Sequence, residues 1–171
     1  MPKRQVFYSF KYLEDVTRVQ RIRNIGAIED NKPVTSQKWE EVKKGGEAAI
    51  KEWIRDQMQY KSCVIVLIGE NTWLSEYVKY EIEYAWSIDK PIFGIYIHDM
   101  RDLNGQKATM PLFTPFDVID EPKTGRPLSA FVQVHTPGTL LQTADKSIQD
   151  NLETWVEAAI ASPPQKKALQ L

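Results

Sequence analysis

The run Cys63-Val64-Ile65-Val66-Leu67-Ile68 is apolar throughout and is bounded by Lys61-Ser62 on one side and Gly69-Glu70-Asn71 on the other. A short, β-branched run without polar alternation is predicted to form a strand covered on both faces, as in the interior of a parallel sheet. A second run, Pro91-Ile92-Phe93-Gly94-Ile95-Tyr96-Ile97, has the same character. Between them, residues 73–90 read as one helix. Strand, helix and strand in that order make a right-handed parallel crossover.

The rest of the chain fits around this unit. Val6-Phe7-Tyr8-Ser9-Phe10 reads as a first strand ending near Ser9, and a helix is predicted from Leu13 to Asn24, before Gly26. Residues 27–44 are polar and broken by Pro33, which predicts a long loop with one short strand about Ala27-Ile28. A helix is expected over Glu47 to Gln59, where Ala49, Ile50, Trp53, Ile54 and Met58 form a stripe, with Gly45-Gly46 at its entrance. Residues 98–126 read as irregular, 130–135 as a last strand, and Ser147 to Ala161 as a terminal helix. The alternation implies an α/β fold, doubly wound, with a mainly parallel sheet flanked by helices.

A chain of 171 residues with 42% hydrophobic content can build one well-buried core. It is read as a single domain over 1–171, with its core at about 4–161 and a loose tail at 162–171. Its 22 basic and 23 acidic residues leave a net charge of −1, which gives no field for nucleic acid or an anionic membrane. The only cysteine, Cys63, excludes a disulfide framework. No long apolar segment follows the amino terminus, so a soluble, cytoplasmic chain is expected. His98 and His135 lack metal-ligand spacing, so no metal site is expected and both histidines read as surface or loop residues. Neither a phosphate-binding loop nor a dinucleotide glycine fingerprint is present. Asp15 stands alone and too far after the first strand to form a receiver-type acidic cluster.

On a wheel of about 100° per residue, Glu81 falls among Trp73, Leu74, Tyr77, Ala85 and Ile88, an apolar arc. An ionised, unpaired carboxylate there costs several kcal/mol. It needs a partner, a raised pKa or a cleft, and two readings stay open: a buried structural acid and a catalytic carboxylate. In doubly wound sheets, ligands sit outside the carboxyl ends of the strands. Tyr8, Ser9 and Phe10 would line that crevice with Gly69, Glu70 and Asn71, and Glu81 would lie on its wall. A carboxylate among aromatics (Tyr8, Phe10, Tyr77, Trp39) suits cleavage of an N-glycosidic bond, whose transition state carries oxocarbenium charge. Core packing remains the alternative role for the aromatics.

Four blocks carry a family resemblance: residues 6–10, 23–34, 39–46 and 77–82. They resemble the TIR-like domains of bacterial Thoeris anti-phage defence, the ThsB-type sensor proteins, over most of residues 4–160. The resemblance implies a flavodoxin-like TIR fold and an enzyme that takes NAD⁺ as substrate, without a further cofactor. It also implies release of nicotinamide and closure of ADP-ribose to a cyclic ADP-ribose isomer, a diffusible messenger for a separate effector protein. Glu81 matches the catalytic glutamate. Tyr77 matches the aromatic four residues before it, where Trp is usual in TIR domains. Tyr8, Ser9 and Phe10 match the loop bordering the nicotinamide ribose, and Asn31, Lys32 and Trp39 fall in the region of the covering loop. A phage-derived trigger and homo-oligomeric assembly complete the implied partners. The alternatives are a non-catalytic TIR interaction module and a nucleoside deoxyribosyltransferase-like enzyme.

Overall fold

The computed structural model describes residues 4–25 and 36–170. Its core is a four-stranded sheet in the order β1 (Val6–Ser9), β2 (Cys63–Ile68), β3 (Ile92–Tyr96), β4 (Val134–His135), with every adjacent pair parallel. All six residues of β2 are buried, as its unbroken apolar run requires. Register is fixed on both sides of it, with Tyr8 opposite Ile65 and Ile65 opposite Phe93.

Because side chains alternate along a strand, the sheet sorts its residues into two cores. Phe7, Val64, Val66 and Ile68 meet α3 (Glu47–Met58) and α4 (Glu76–Ser87), with Trp39 of α2 (Ser36–Lys43) beside them. Val6, Tyr8, Ile65 and Leu67 meet α1 (Tyr12–Arg23) and α5 (Ala144–Ala161). This is the expected doubly wound α/β architecture of TIR-like, flavodoxin-like type. The short strand expected about Ala27-Ile28 lies outside the described residues.

Several boundaries differ from the sequence reading, each for a local reason. Residues 36–43 form the helix α2 where a loop was expected, since Trp39 and Val42, three apart, are enough to hold one face to the core. The expected helix over 73–90 is split. Thr72–Leu74 is a 3₁₀ turn, and α4 starts at Glu76 because Ser75 adopts an extended backbone and accepts the Val78 amide on its hydroxyl. Leu74 and Ile88, assigned to the apolar arc, are therefore substantially exposed. At the other end, Asp89 takes a left-handed φ of 56°, its amide reaching Trp86 and that of Lys90 reaching Ala85. This pair of bonds stops the helix cleanly before β3.

The last strand is only Val134–His135, because Leu128–Ala130 turns as a 3₁₀ helix. The expected tail is instead the helix α6 (Pro164–Leu169), started by Pro164 at its first position and anchored by buried Pro164, Gln165 and Ala168. The histidines are not free at the surface: His98 is buried, and half-buried His135 stacks on Trp155 with ring centroids 4.2 Å apart. Cys63 is fully buried, and burial pushes its thiol up to about 12. In the native protein it is expected to resist iodoacetamide at pH 8 and to react only after unfolding, which mass spectrometry of the alkylated chain would check. Among the described residues no helix is long and apolar enough to cross a membrane.

Candidate active site

The helix α4 carries Glu81 onto the end of β1. Glu81 is 2% exposed, and the Ser9 hydroxyl donates to its carboxyl Oε1 at 2.7 Å. Burial raises its pKa to about 8, against the pull of the Ser9 bond toward the charged form. At neutral pH the resting side chain is thus mostly a neutral acid. It gains its negative charge only where something favours the anion, and an adjacent positive charge does so.

One helical turn before it, Tyr77 is also buried. Its hydroxyl accepts the Tyr12 amide at 2.8 Å and donates to the Phe10 carbonyl at 3.0 Å. Burial drives this phenol up to about 12, so it remains protonated and able to donate. Trp39 packs beside it, with ring centroids 5.6 Å from Tyr77 and 5.9 Å from Tyr80. Ser9, Tyr77, Glu81, Trp39 and the Phe10 carbonyl are therefore brought together on one side of the sheet.

The other expected residues divide differently. Tyr8 alternates to the opposite face and packs in the core under α1 and α5, on the far side of the sheet from Glu81. The Phe10 ring belongs to that second core as well, 6.3 Å from the Tyr12 ring, and only its carbonyl faces Tyr77. Asn31 and Lys32 lie outside the described residues. A cavity of about 720 Å³ lined by Arg21, Arg101, Lys107 and Thr143 opens on the α1/α5 side and includes none of the expected site residues.

Sequence reasoning missed a buried ion pair at the carboxyl edge. Asp15 is 1% exposed and lies 3.3 Å from Arg18 Nη1. Arg18 in turn donates to the carbonyls of Met100 at 2.8 Å and Gln106 at 3.0 Å, tying the loop after β3 to α1. Burial lifts Asp15 to about 6, against the opposing attraction of Arg18. Gly69, the first residue after β2, makes room for it: a Cβ there would sit 2.3 Å from Asp15 Oδ2. A second set of bonds runs alongside, from Asn71 to Glu14 and from the Thr109 amide to Glu70. An Asp and an Arg three apart on a helix look like an ordinary surface pair. Only Gly69 at the end of the apolar run hinted at a close approach.

A doubly wound α/β domain whose helix after an interior strand presses a carboxyl group against the end of the first strand has the build of a TIR-like domain. The chain belongs to the Thoeris ThsB TIR-like family: the family profile described as "Thoeris protein ThsB, TIR-like domain" matches residues 7–102. It is also 31% identical over 122 residues to ThsB1 of Bacillus cereus (strain MSX-D12), whose name provisionally assigns it as a cyclic ADP-D-ribose synthase. That match covers 68% of this chain and 62% of the relative, so the chain spans less than two thirds of the relative's length.

Proposed function

We propose that this chain cleaves the bond between nicotinamide and ribose in NAD⁺ and closes the remaining ADP-ribose into a cyclic isomer that signals to a separate effector in anti-phage defence. The observation that carries this reading is the Glu81 carboxyl group, buried in an apolar layer at the end of β1 with a single short bond from Ser9. The name of the Bacillus cereus relative points the same way.

In this reaction the pyridinium leaves as neutral nicotinamide with both electrons of the glycosidic bond. The anomeric carbon then carries oxocarbenium charge until an internal nucleophile of the same ADP-ribose closes the ring and loses its proton. A carboxylate at Glu81 stabilises that charge most strongly in the low-dielectric surroundings the fold provides. The cationic nicotinamide riboside of the bound substrate also favours ionisation of Glu81, offsetting the burial that holds the resting side chain neutral. Ser9 keeps the carboxyl oriented. A phage-derived trigger and assembly of several copies would open the site.

The test is chromatography and mass spectrometry of nicotinamide and nucleotide products in infected cells and with purified protein. Glu81→Gln is expected to lower product formation by at least about 100-fold, and a parental rate in that variant would sink the mechanism. Because the active form is the anion, kcat/KM should rise with pH through the Glu81 pKa of about 8 and level off above it. A second reading, a non-catalytic interaction module, draws on the near-complete closure of Glu81. It predicts no nicotinamide release under phage challenge or on assembly.

A further inference from the structure

α1 begins without a cap of its own. Its N-cap residue is Lys11, whose side chain makes no capping bond, and the first amides of a helix have no partner within the helix. The partner comes from elsewhere in the chain: the Tyr77 hydroxyl, 65 residues away, takes the amide of Tyr12, the first residue of α1. The same oxygen donates its proton to the carbonyl of Phe10, the residue just after β1. A phenol is suited to this because its oxygen both donates and accepts, whereas a Trp indole donates only and a Phe ring does neither.

The turn held in this way follows directly on Ser9, the last residue of β1. On α4, Tyr77 and Glu81 lie four residues apart and so on one face. The helix therefore grips the end of β1 and the turn after it at two adjacent points, through Glu81 on Ser9 and through Tyr77 on the backbone of Phe10 and Tyr12. We infer that Tyr77 is a positioning residue that caps α1 from the neighbouring helix and thereby holds the Ser9 hydroxyl on Glu81. Its contribution is made by the hydroxyl oxygen rather than by ring contact with a ligand. The activity part of this inference rests on the reading of Glu81 given above, but the structural part does not.

Amide hydrogen exchange followed by NMR on the unaltered protein gives the first test. The Tyr12 amide is expected to exchange about fivefold more slowly than the next two amides of α1, Leu13 and Glu14, the protection that one ordinary net hydrogen bond confers. Equal exchange at Tyr12, Leu13 and Glu14 would overturn the inference without any variant. In Tyr77→Phe, which keeps the ring, Tyr12 should lose that protection. The Glu81 carboxyl, followed by its carbon-13 shift, should titrate at higher pH than in the parent because the Ser9 bond that favours its charged form is loosened. A merely packed Tyr77 would leave both signals where they were. Tyr77→Trp, able only to donate to Phe10, should leave Tyr12 as exposed to exchange as in Tyr77→Phe. If the parent releases nicotinamide, Tyr77→Phe should lower kcat about tenfold with KM for NAD⁺ little changed. If the parent releases none, the function proposed for Glu81 fails while the exchange and titration results still decide the role of Tyr77.

Discussion

Glu81→Gln is expected to be more stable than the parent at pH 8.5 and close to it at pH 5. The sign follows from where the proton sits. The folded protein holds the Glu81 proton up to about pH 8, whereas the carboxyl of an unfolded chain releases it near its ordinary value of 4.5. Between those values the native state binds more protons, so stability is fully present below about pH 4.5 and is lost as pH rises toward 8. Glutamine has no proton to lose and its amide oxygen can still accept from Ser9. The shift in pKa sets an upper bound of about 5 kcal/mol, and relaxation around the buried charge lowers this to about 2–4 kcal/mol. For a chain of this size that is a difference of roughly 5–12 °C in melting temperature at pH 8.5. Asp15, raised from 3.8 to about 6, costs both proteins the same stability as pH rises through that lower window and so drops out of the comparison. Thermal melts at the two pH values check the result. An equal difference at both would mean that Glu81 keeps the same protonation on folding. Stabilisation by a change that removes activity would mark Glu81 as a group held for chemistry at a cost to the fold.

The second large effect is expected at Gly69. A methyl group there would stand 2.3, 2.5 and 2.7 Å from the three carboxyl atoms of Asp15, far inside contact distance. Asp15 cannot swing aside cheaply, because it is buried and paired with an arginine that holds two carbonyls of the loop after β3. Gly69→Ala is therefore expected to destabilise by about 3–5 kcal/mol, the range for forcing a buried charge out of its pairing. Asp15→Ala should cost a similar amount by leaving Arg18 uncompensated in the interior. The double variant separates clash from pairing. With the carboxyl gone the methyl added by Gly69→Ala has space, so the combined loss should fall short of the sum by at least about 1 kcal/mol. Urea denaturation of the four proteins measures this, and strict additivity would show that Gly69 is needed for a reason other than Asp15.

Much of this arrangement could be read from the chain before any coordinates. The two apolar runs fixed an interior strand and its neighbour because burial on both faces leaves no other use for such sequence. Glu81 stood out because a charge in an apolar arc is improbable without a purpose. What escaped the reading depends on contacts between segments far apart. Periodicity showed that Tyr77 faces the core, but not that its hydroxyl would find the backbone at the start of α1. Alternation along β1 puts Tyr8 and Ser9 on opposite faces and so separates Tyr8 from Glu81, although proximity to one strand end suggests a shared crevice. Asp15 and Arg18 acquire their weight from the loop at 98–108, whose path the irregular, proline-marked sequence does not determine. The helix at 164–169 was hidden by Pro163-Pro164, which reads as a stop but also suits a first helical position.

The spacing of Tyr77 and Glu81 has a consequence for how the site can change. The two side chains stand one helical turn apart on a single rigid element and reach the end of β1 and the turn after it. A rotation of α4 about its own axis would withdraw them together, freeing Ser9 and the start of α1 in one event. Any displacement of α4 therefore acts on the Glu81–Ser9 bond and on the start of α1 together, not on either alone.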